Sequence, residues 1–135
     1  MGEILLRKLV ACRDRIARIR AALPSDPEAM SRDERLEAFI SFNLFLLVQD
    51  ATDLASHLVA ERSLGIPDSL RETFDILSRN GLLAQETAEG MGAMASLRNR
   101  IAHAYGQLDP VRLAREAPAG LDIVARFLDE LAALA

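Results

Sequence analysis

The sequence predicts an all-α protein, an antiparallel bundle of four to six helices that forms a single domain over residues 1–135. Apolar residues recur at helical spacing along the whole chain, and no segment alternates apolar and polar residues as a half-buried strand does. Short breaks rich in Pro, Gly and Asn separate the helical segments, and short connections favour antiparallel neighbours. A chain of this length can bury roughly 70% of its unfolded surface in one core.

The first helix is indicated by six apolar residues spaced alternately by four and three, the seam of a helix that packs against others. These residues are Leu5, Leu9, Cys12, Ile16, Ile19 and Leu23. Because Cys12 lies on this seam, we expect it to be a small buried hydrophobe. Residues 1–22 carry six basic and two acidic side chains, a net charge of +4, mostly off the seam. We interpret them as a solvated face, with a contact to RNA or a partner as the alternative.

The second helix follows a break at residues 23–27. Ser31 and Glu34 form a capping-box pattern, and the helix is expected to run from there to about Arg62. Residues 42–48 are apolar almost all round the helix, so this helix should be the central one of the bundle.

The remaining helices are expected over residues 69–79, 85–104 and 110–134. Asp68 can serve as the N-cap of the first of them. Gly90 and Gly92 allow a neighbouring helix to approach the second closely. We expect Pro118 and Gly120 to interrupt the last helical region, because neither residue favours a helix interior.

Composition excludes several classes of protein. With 20 acidic and 16 basic residues the net charge is -4, and an acidic protein binds polyanions poorly unless it has a local basic site. One cysteine and two histidines are too few for a disulfide framework or a structural zinc site. The longest apolar run, residues 44–48, has five residues, whereas a membrane span needs about 20. We therefore expect a soluble, cytoplasmic protein with no membrane contact.

Three polar side chains lie on one face of the second helix. Asp50, Asp53 and His57 are separated by three and four residues, which places them on the same side. A polar stripe that meets another helix is the favoured interpretation, and metal ligation is the alternative. A di-iron site in a helical bundle needs the Glu-x-x-His pattern twice, and this chain offers only one related pair, so we predict no metal site.

A second polar group, residues 98–106, ends the fourth helix. It can be purely structural, because cations at a helix C-terminus complement the helix dipole and a tyrosine can anchor a helix end. A catalytic interpretation is also open. Asn99 and His103 are four residues apart, so the amide can orient the imidazole. Arg98 and His103 are about 140° apart around an ideal helix. Their side chains can therefore meet only if the long arginine side chain bridges the gap or if the helix ends near Ala102.

An arginine and a histidine together suit the cleavage of RNA. The guanidinium binds phosphate in a fixed fork, and histidine exchanges protons near neutral pH. The substrate's own 2′-hydroxyl is then the nucleophile, His103 moves protons, and Arg98 stabilises the charge that develops on phosphorus. Such a site needs neither a metal nor a nucleophile from the protein.

The pattern Arg98-x-x-x-x-His103-x-Tyr105 resembles the signature of HEPN-domain ribonucleases, specifically the HepT toxins of HEPN/MNT (type VII) toxin–antitoxin systems. The likeness extends over about residues 36–113, because segments on both sides of the motif are also similar to the family. These segments are residues 47–57, 65–77, 80–83 and 108–109.

This resemblance implies a HEPN-like helical homodimer that is a metal-independent endoribonuclease without a cofactor. Arg98 and His103 would be the catalytic pair, supported by Asn99, and Arg100 is a candidate RNA contact. The resemblance also implies a cognate antitoxin, a minimal nucleotidyltransferase that neutralises the toxin by transferring AMP onto Tyr105. A bulky anionic group two residues from His103 would block the site and repel RNA.

Two other functions remain open from the sequence. The acidic body and modest basic patch also fit a non-catalytic helical HEPN module that binds a nucleotide or a nucleotidyltransferase partner. A purely structural dimer is the third hypothesis, and it would leave Arg98 and His103 exposed and far apart.

Overall fold

The structure is a computed structural model that describes residues 2–103 and 108–134. The described residues form five α-helices and one short 3-10 helix, with no strand among them, which confirms the predicted all-α bundle. The helices are α1 (Glu3–Ala22), the 3-10 helix (Pro27–Arg32), α2 (Glu34–Glu61), α3 (Leu70–Arg79), α4 (Gln85–His103) and α5 (Pro110–Ala132). α2 packs against every other one of these helices, as expected for the central helix.

The apolar seam of α1 faces the core as predicted. Leu9, Cys12, Ile16 and Ile19 are buried, and the two end residues of the seam pack partly buried against the same core. Burial raises the pKa of the Cys12 thiol from 9.0 to about 12, with the nearby Asp50 carboxylate adding to the effect. Cys12 is therefore a neutral, buried thiol.

α2 carries apolar residues on both its core-facing side and its solvent-facing side. By length and composition alone it could cross a membrane, but its buried residues, such as Leu44 and Leu47, lie at the centre of the core. Phe42 is an exception to the expectation of a helix buried all round, because it is 61% exposed. Burial in the core thus accounts for most of the apolar residues of α2. It does not account for Phe42, which lies on the surface.

The predicted capping box at Ser31 is wrong. Ser31 lies inside the 3-10 helix, where its Oγ donates to the Glu28 carbonyl at 2.8 Å. Asp33 caps α2 instead, and its side chain accepts from the Leu36 N–H at 3.1 Å. The extra 3-10 helix, which the sequence did not reveal, moves the N-cap of α2 by two residues, from Ser31 to Asp33.

The start of α3 also differs from the prediction by one residue. Ser69 rather than Asp68 is the N-cap, and its Oγ accepts from the Glu72 N–H at 3.1 Å. The Glu72 carboxylate reaches back and accepts from the Asp68 N–H at 2.7 Å. Two backbone donors at this helix end are thereby satisfied, as in a capping box shifted by one residue.

α5 is continuous, so the predicted interruption at Pro118 and Gly120 is wrong. Pro118 lies on the exposed side of the helix, where its ring removes one backbone donor without disturbing the core. Gly120 faces α4, and a Cβ there would lie 2.7 Å from the Met94 sulfur. Buried residues on both sides of the proline, including Ala117 and Leu121, hold the helix together through packing that a local pattern does not reveal.

The two glycines of α4 allow close approach, as predicted. A Cβ at Gly90 would lie 2.7 Å from Cγ2 of Ile123 on α5, and one at Gly92 would lie 2.9 Å from the Arg71 guanidinium on α3. Glu130 provides a further contact between α5 and α4, because its carboxylate accepts from the N–H of Ala84, the residue just before α4. The missing Cβ atoms thus set how near α4 lies to its neighbours.

We expect Gly90→Ala to lower the free energy of unfolding by about 1 kcal/mol, because overpacking against Ile123 outweighs the gain in helix propensity. In an Ile123→Ala background the same change should instead stabilise the protein by about 0.5–1 kcal/mol, since only the propensity gain remains. Urea unfolding of the four proteins measures this reversal of sign. Stabilisation by Gly90→Ala in both backgrounds would show that the contact is not tight.

Candidate functional site

The polar stripe on α2 meets α1, which confirms the favoured interpretation for two of its three members. Nζ of Lys8 on α1 lies 3.3 Å from Oδ2 of Asp53 and 3.9 Å from Oδ1 of Asp50. His57, the third member, lies instead beside Glu61 of its own helix, with Nε2 3.5 Å from a carboxylate oxygen, and both are exposed. The stripe is thus largely a contact between helices.

Gln49 joins this stripe to the motif at the end of α4. Its Nε2 donates to Oδ1 of Asp53 at 3.3 Å, and its Oε1 accepts from Nη2 of Arg98 at 2.7 Å. The two polar groups that the sequence presents separately therefore form one network across α1, α2 and α4. Sequence reasoning missed Gln49 as a site residue, although its four-residue spacing from Asp53 places both on one face of α2.

The Arg98 guanidinium is held on three sides. Its Cζ lies 4.7 Å from the centre of the Phe45 ring, and its Nη1 donates to Oδ1 of Asn99 at 2.9 Å. Gln49 contacts Nη2, as described above. Nε is buried and has no hydrogen-bond partner within the described part of the chain. A half-buried cation against an aromatic face, with two amide oxygens on its fork, has a well-defined orientation.

The other predicted site residues occupy less constrained positions. Asn99, expected to orient His103, has its carbonyl oxygen on Arg98 in the structure. His103 is the last residue of α4 and is exposed. Arg100 is exposed and lines a cleft of about 230 Å³ between the end of α4 and the start of α5. Tyr105 lies outside the described residues.

A groove with an apolar wall lies beside the motif. Its volume is about 480 Å³, and it runs between the first half of α2 and the end of α4. Phe42 on α2 and Ile101 on α4 contribute to it, together with Leu108 after α4. The Phe42 side chain is 61% exposed and continues the apolar wall of the groove, and contiguous exposed apolar surface is typical of interaction sites.

The arrangement offers a fixed cation and an exposed imidazole on the last two turns of one helix. The guanidinium retains N–H groups that Gln49 and Asn99 do not use, and these can bind an anion. An imidazole at a helix C-terminus can accept and return a proton. Over residues 2–103 and 108–134, no three His, Cys, Asp or Glu side chains lie together as metal ligands would.

Known proteins are similar to this chain in both sequence and fold. Residues 12–131 match the family described as Ribonuclease HepT-like. The chain is 27% identical over 133 residues to the mRNA nuclease HepT of Shewanella oneidensis, and the alignment covers 98% of this chain and 99% of that protein.

Solved structures are similar over nearly the whole chain. One contains the tri-AMPylated Shewanella oneidensis HEPN toxin in complex with MNT antitoxin, with a TM-score of 0.89, 27% identity, and coverage of 98% of this chain and 99% of that one. Another is a toxin–antitoxin structure with AMP-PNP, with a TM-score of 0.89, 26% identity and the same coverage. Because the family match spans most of the sequence, this chain belongs to the HepT-like ribonuclease family.

Proposed function

We propose that this chain is the toxin of a HEPN/MNT toxin–antitoxin system and a metal-independent endoribonuclease that acts in the cytoplasm. The observation that carries the proposal is the Arg98 guanidinium, clamped by Phe45, Gln49 and Asn99 five residues before His103. The family supports ribonuclease activity, and the mRNA nuclease HepT supports RNA as the substrate class.

In the proposed reaction the 2′-hydroxyl of the substrate attacks the adjacent phosphorus. The bond from the 2′-oxygen to phosphorus forms as the bond to the 5′-oxygen breaks, which leaves a cyclic phosphate and a free 5′-hydroxyl. His103 accepts the proton from the 2′-hydroxyl and passes it to the departing 5′-oxygen. Arg98 donates to the phosphoryl oxygens, whose negative charge increases in the transition state. Arg100 is proposed to contact a neighbouring part of the RNA.

The active form is proposed to be a homodimer of one HEPN-like domain that spans residues 1–135. A single core shared by all five α-helices supports the single domain. The apolar groove at Phe42 supports the dimer, because a second copy would cover it and bring a second motif near the first. The groove lies directly beside Ile101, three residues after Arg98.

We expect RNA cleavage by the purified protein in the presence of a chelator, and a loss of at least about 100-fold in Arg98→Ala and in His103→Ala. Arg126→Ala is the matched control, because Arg126 pairs with Glu86 at 3.5 Å at the opposite end of α4 and should not affect cleavage. Gel analysis of a labelled RNA measures the rates. Equal cleavage by all variants would contradict the proposed site, and nucleotide or partner binding without any cleavage would support the non-catalytic module.

We expect Phe42→Glu to convert the dimer to a monomer without unfolding it, because Phe42 is exposed in the single chain and a charge in the dimer contact is costly. Size-exclusion chromatography with light scattering measures the mass. Ile66→Glu is the control, since Ile66 is 92% exposed and lies between α2 and α3, away from the groove. An unchanged mass for Phe42→Glu would rule out this face as the dimer contact.

Neutralisation is proposed to occur at Tyr105, the only tyrosine of the chain, by AMP transfer from a cognate nucleotidyltransferase. The tri-AMPylated state of the similar toxin supports this reaction. Co-expression with the nucleotidyltransferase should raise the mass by whole AMP units and abolish RNA cleavage, because phosphate beside His103 repels the substrate. Intact-mass spectrometry should find no addition on Tyr105→Phe. The same mass increase on that variant would place the modification elsewhere.

A further inference from the structure

We infer that Gln49 is the positioning residue of Arg98, and that Asp53 and Lys8 fix its orientation. This inference rests on the proposed ribonuclease function, in which Arg98 stabilises the transition state. Gln49 itself lies on α2 and acts only through the arginine, to which its Oε1 is hydrogen-bonded at 2.7 Å.

The orientation of the Gln49 amide follows from its two neighbours. One end of the amide faces the Arg98 guanidinium, which can only donate hydrogen bonds. The other end faces the Asp53 carboxylate, which in its ionised form can only accept them. Only one arrangement satisfies both, with the oxygen toward Arg98 and the nitrogen toward Asp53. The reversed amide would place N–H groups against N–H groups and oxygen against oxygen. The amide oxygen of Gln49 is therefore the end that accepts from Arg98.

Asp53 is in turn held by a third helix. Its Oδ1 accepts from Gln49 and its Oδ2 lies 3.3 Å from Nζ of Lys8 on α1. The Asp53 side chain is about half exposed, so the ion pair contributes little to the free energy of folding. Its effect is geometric, because both carboxylate oxygens have a partner and the carboxylate cannot rotate without losing one.

Within the described part of the chain, Gln49 is the residue of α2 that accepts a hydrogen bond from Arg98. The Phe45 ring lies 4.7 Å from Cζ, but it has no oxygen acceptor that could fix the direction of the guanidinium N–H groups. Asn99 is the next residue of the same helix, so its contact moves with α4. Nε is buried and has no partner among residues 2–103 and 108–134, so no second hydrogen bond from these residues compensates. Among the described residues, Gln49 thus supplies the hydrogen bond that ties the guanidinium to α2.

The test compares Gln49→Met with Asn43→Leu, each of which keeps the approximate shape of the side chain and removes its amide. Asn43 is a matched control because its Oδ1 accepts from Nη1 of Arg15 at 2.6 Å, an arginine–amide bond that also joins α2 to another helix. We expect kcat of RNA cleavage to fall by up to about 100-fold in Gln49→Met with little change in KM, because a misplaced arginine loses transition-state contacts. Asn43→Leu should lower the melting temperature and leave kcat unchanged.

A double-mutant cycle tests whether Gln49 acts through the arginine. In an Arg98→Ala background, Gln49→Met should cause no further loss of kcat, because the residue that it positions is absent. An additional loss as large as in the wild type would overturn the inference. An equal fall in kcat for Asn43→Leu would also overturn it, since the effect would then come from general destabilisation.

A second measurement does not depend on catalysis. Nitrogen-15 NMR of the arginine side chains should resolve separate Nη1 and Nη2 signals for Arg98, assigned with Arg98→Ala, and these should merge in Gln49→Met as rotation becomes fast. Unchanged signals in Gln49→Met would refute positioning even if RNA is cleaved. If the wild type cleaves no RNA but the signals merge as expected, the proposed ribonuclease function fails and the positioning contact stands.

Discussion

The packing of every other helix against α2 is the constraint on which the rest of the structure depends. α2 buries one side, including Leu44, Leu47 and Val48, in the core, and leaves Phe45 and Gln49 half-buried where α4 crosses it. An arginine that α4 brings to this contact loses part of its hydration, and a partly desolvated cation needs partners. The aromatic ring and the amide on α2 supply them, so the geometry of the core determines where the Arg98 guanidinium points.

The same packing of the helices also places basic side chains next to acidic ones. The sequence predicts a solvated face for the basic residues of α1, and in the structure several of them pair with acidic residues of other helices. Arg13 reaches Asp129 at 2.9 Å and Arg20 reaches Asp122 at 2.7 Å, both on α5. These exposed pairs are each worth less than about 1 kcal/mol, but they neutralise charge that would otherwise attract a polyanion. In an acidic protein this favours a local anion site at the end of α4 over a broad basic surface.

Particular residues show where sequence reasoning reached its limit. The seam of α1 and the close approach at Gly90 could be predicted, because both depend on spacing and residue size within one helix. The cap of α2 was misplaced, because an unrecognised 3-10 helix lies before Asp33. The break expected in α5 is absent, because packing around Pro118 outweighs its local preference. Gln49 was overlooked because its partner, Arg98, is 49 residues away along the chain.

By itself the sequence determined the all-helical class, the order of the helices and the motif of Arg98, His103 and Tyr105, because these depend on periodicity and on short spacings that any helix preserves. Only the tertiary structure decided which side chains surround the motif arginine. Lys8, Asp53, Gln49 and Arg98 come from three helices, and no spacing along the chain encodes their meeting. The distances among them follow from how α1, α2 and α4 pack, because long-range contacts are set by the shared core and not by local propensity.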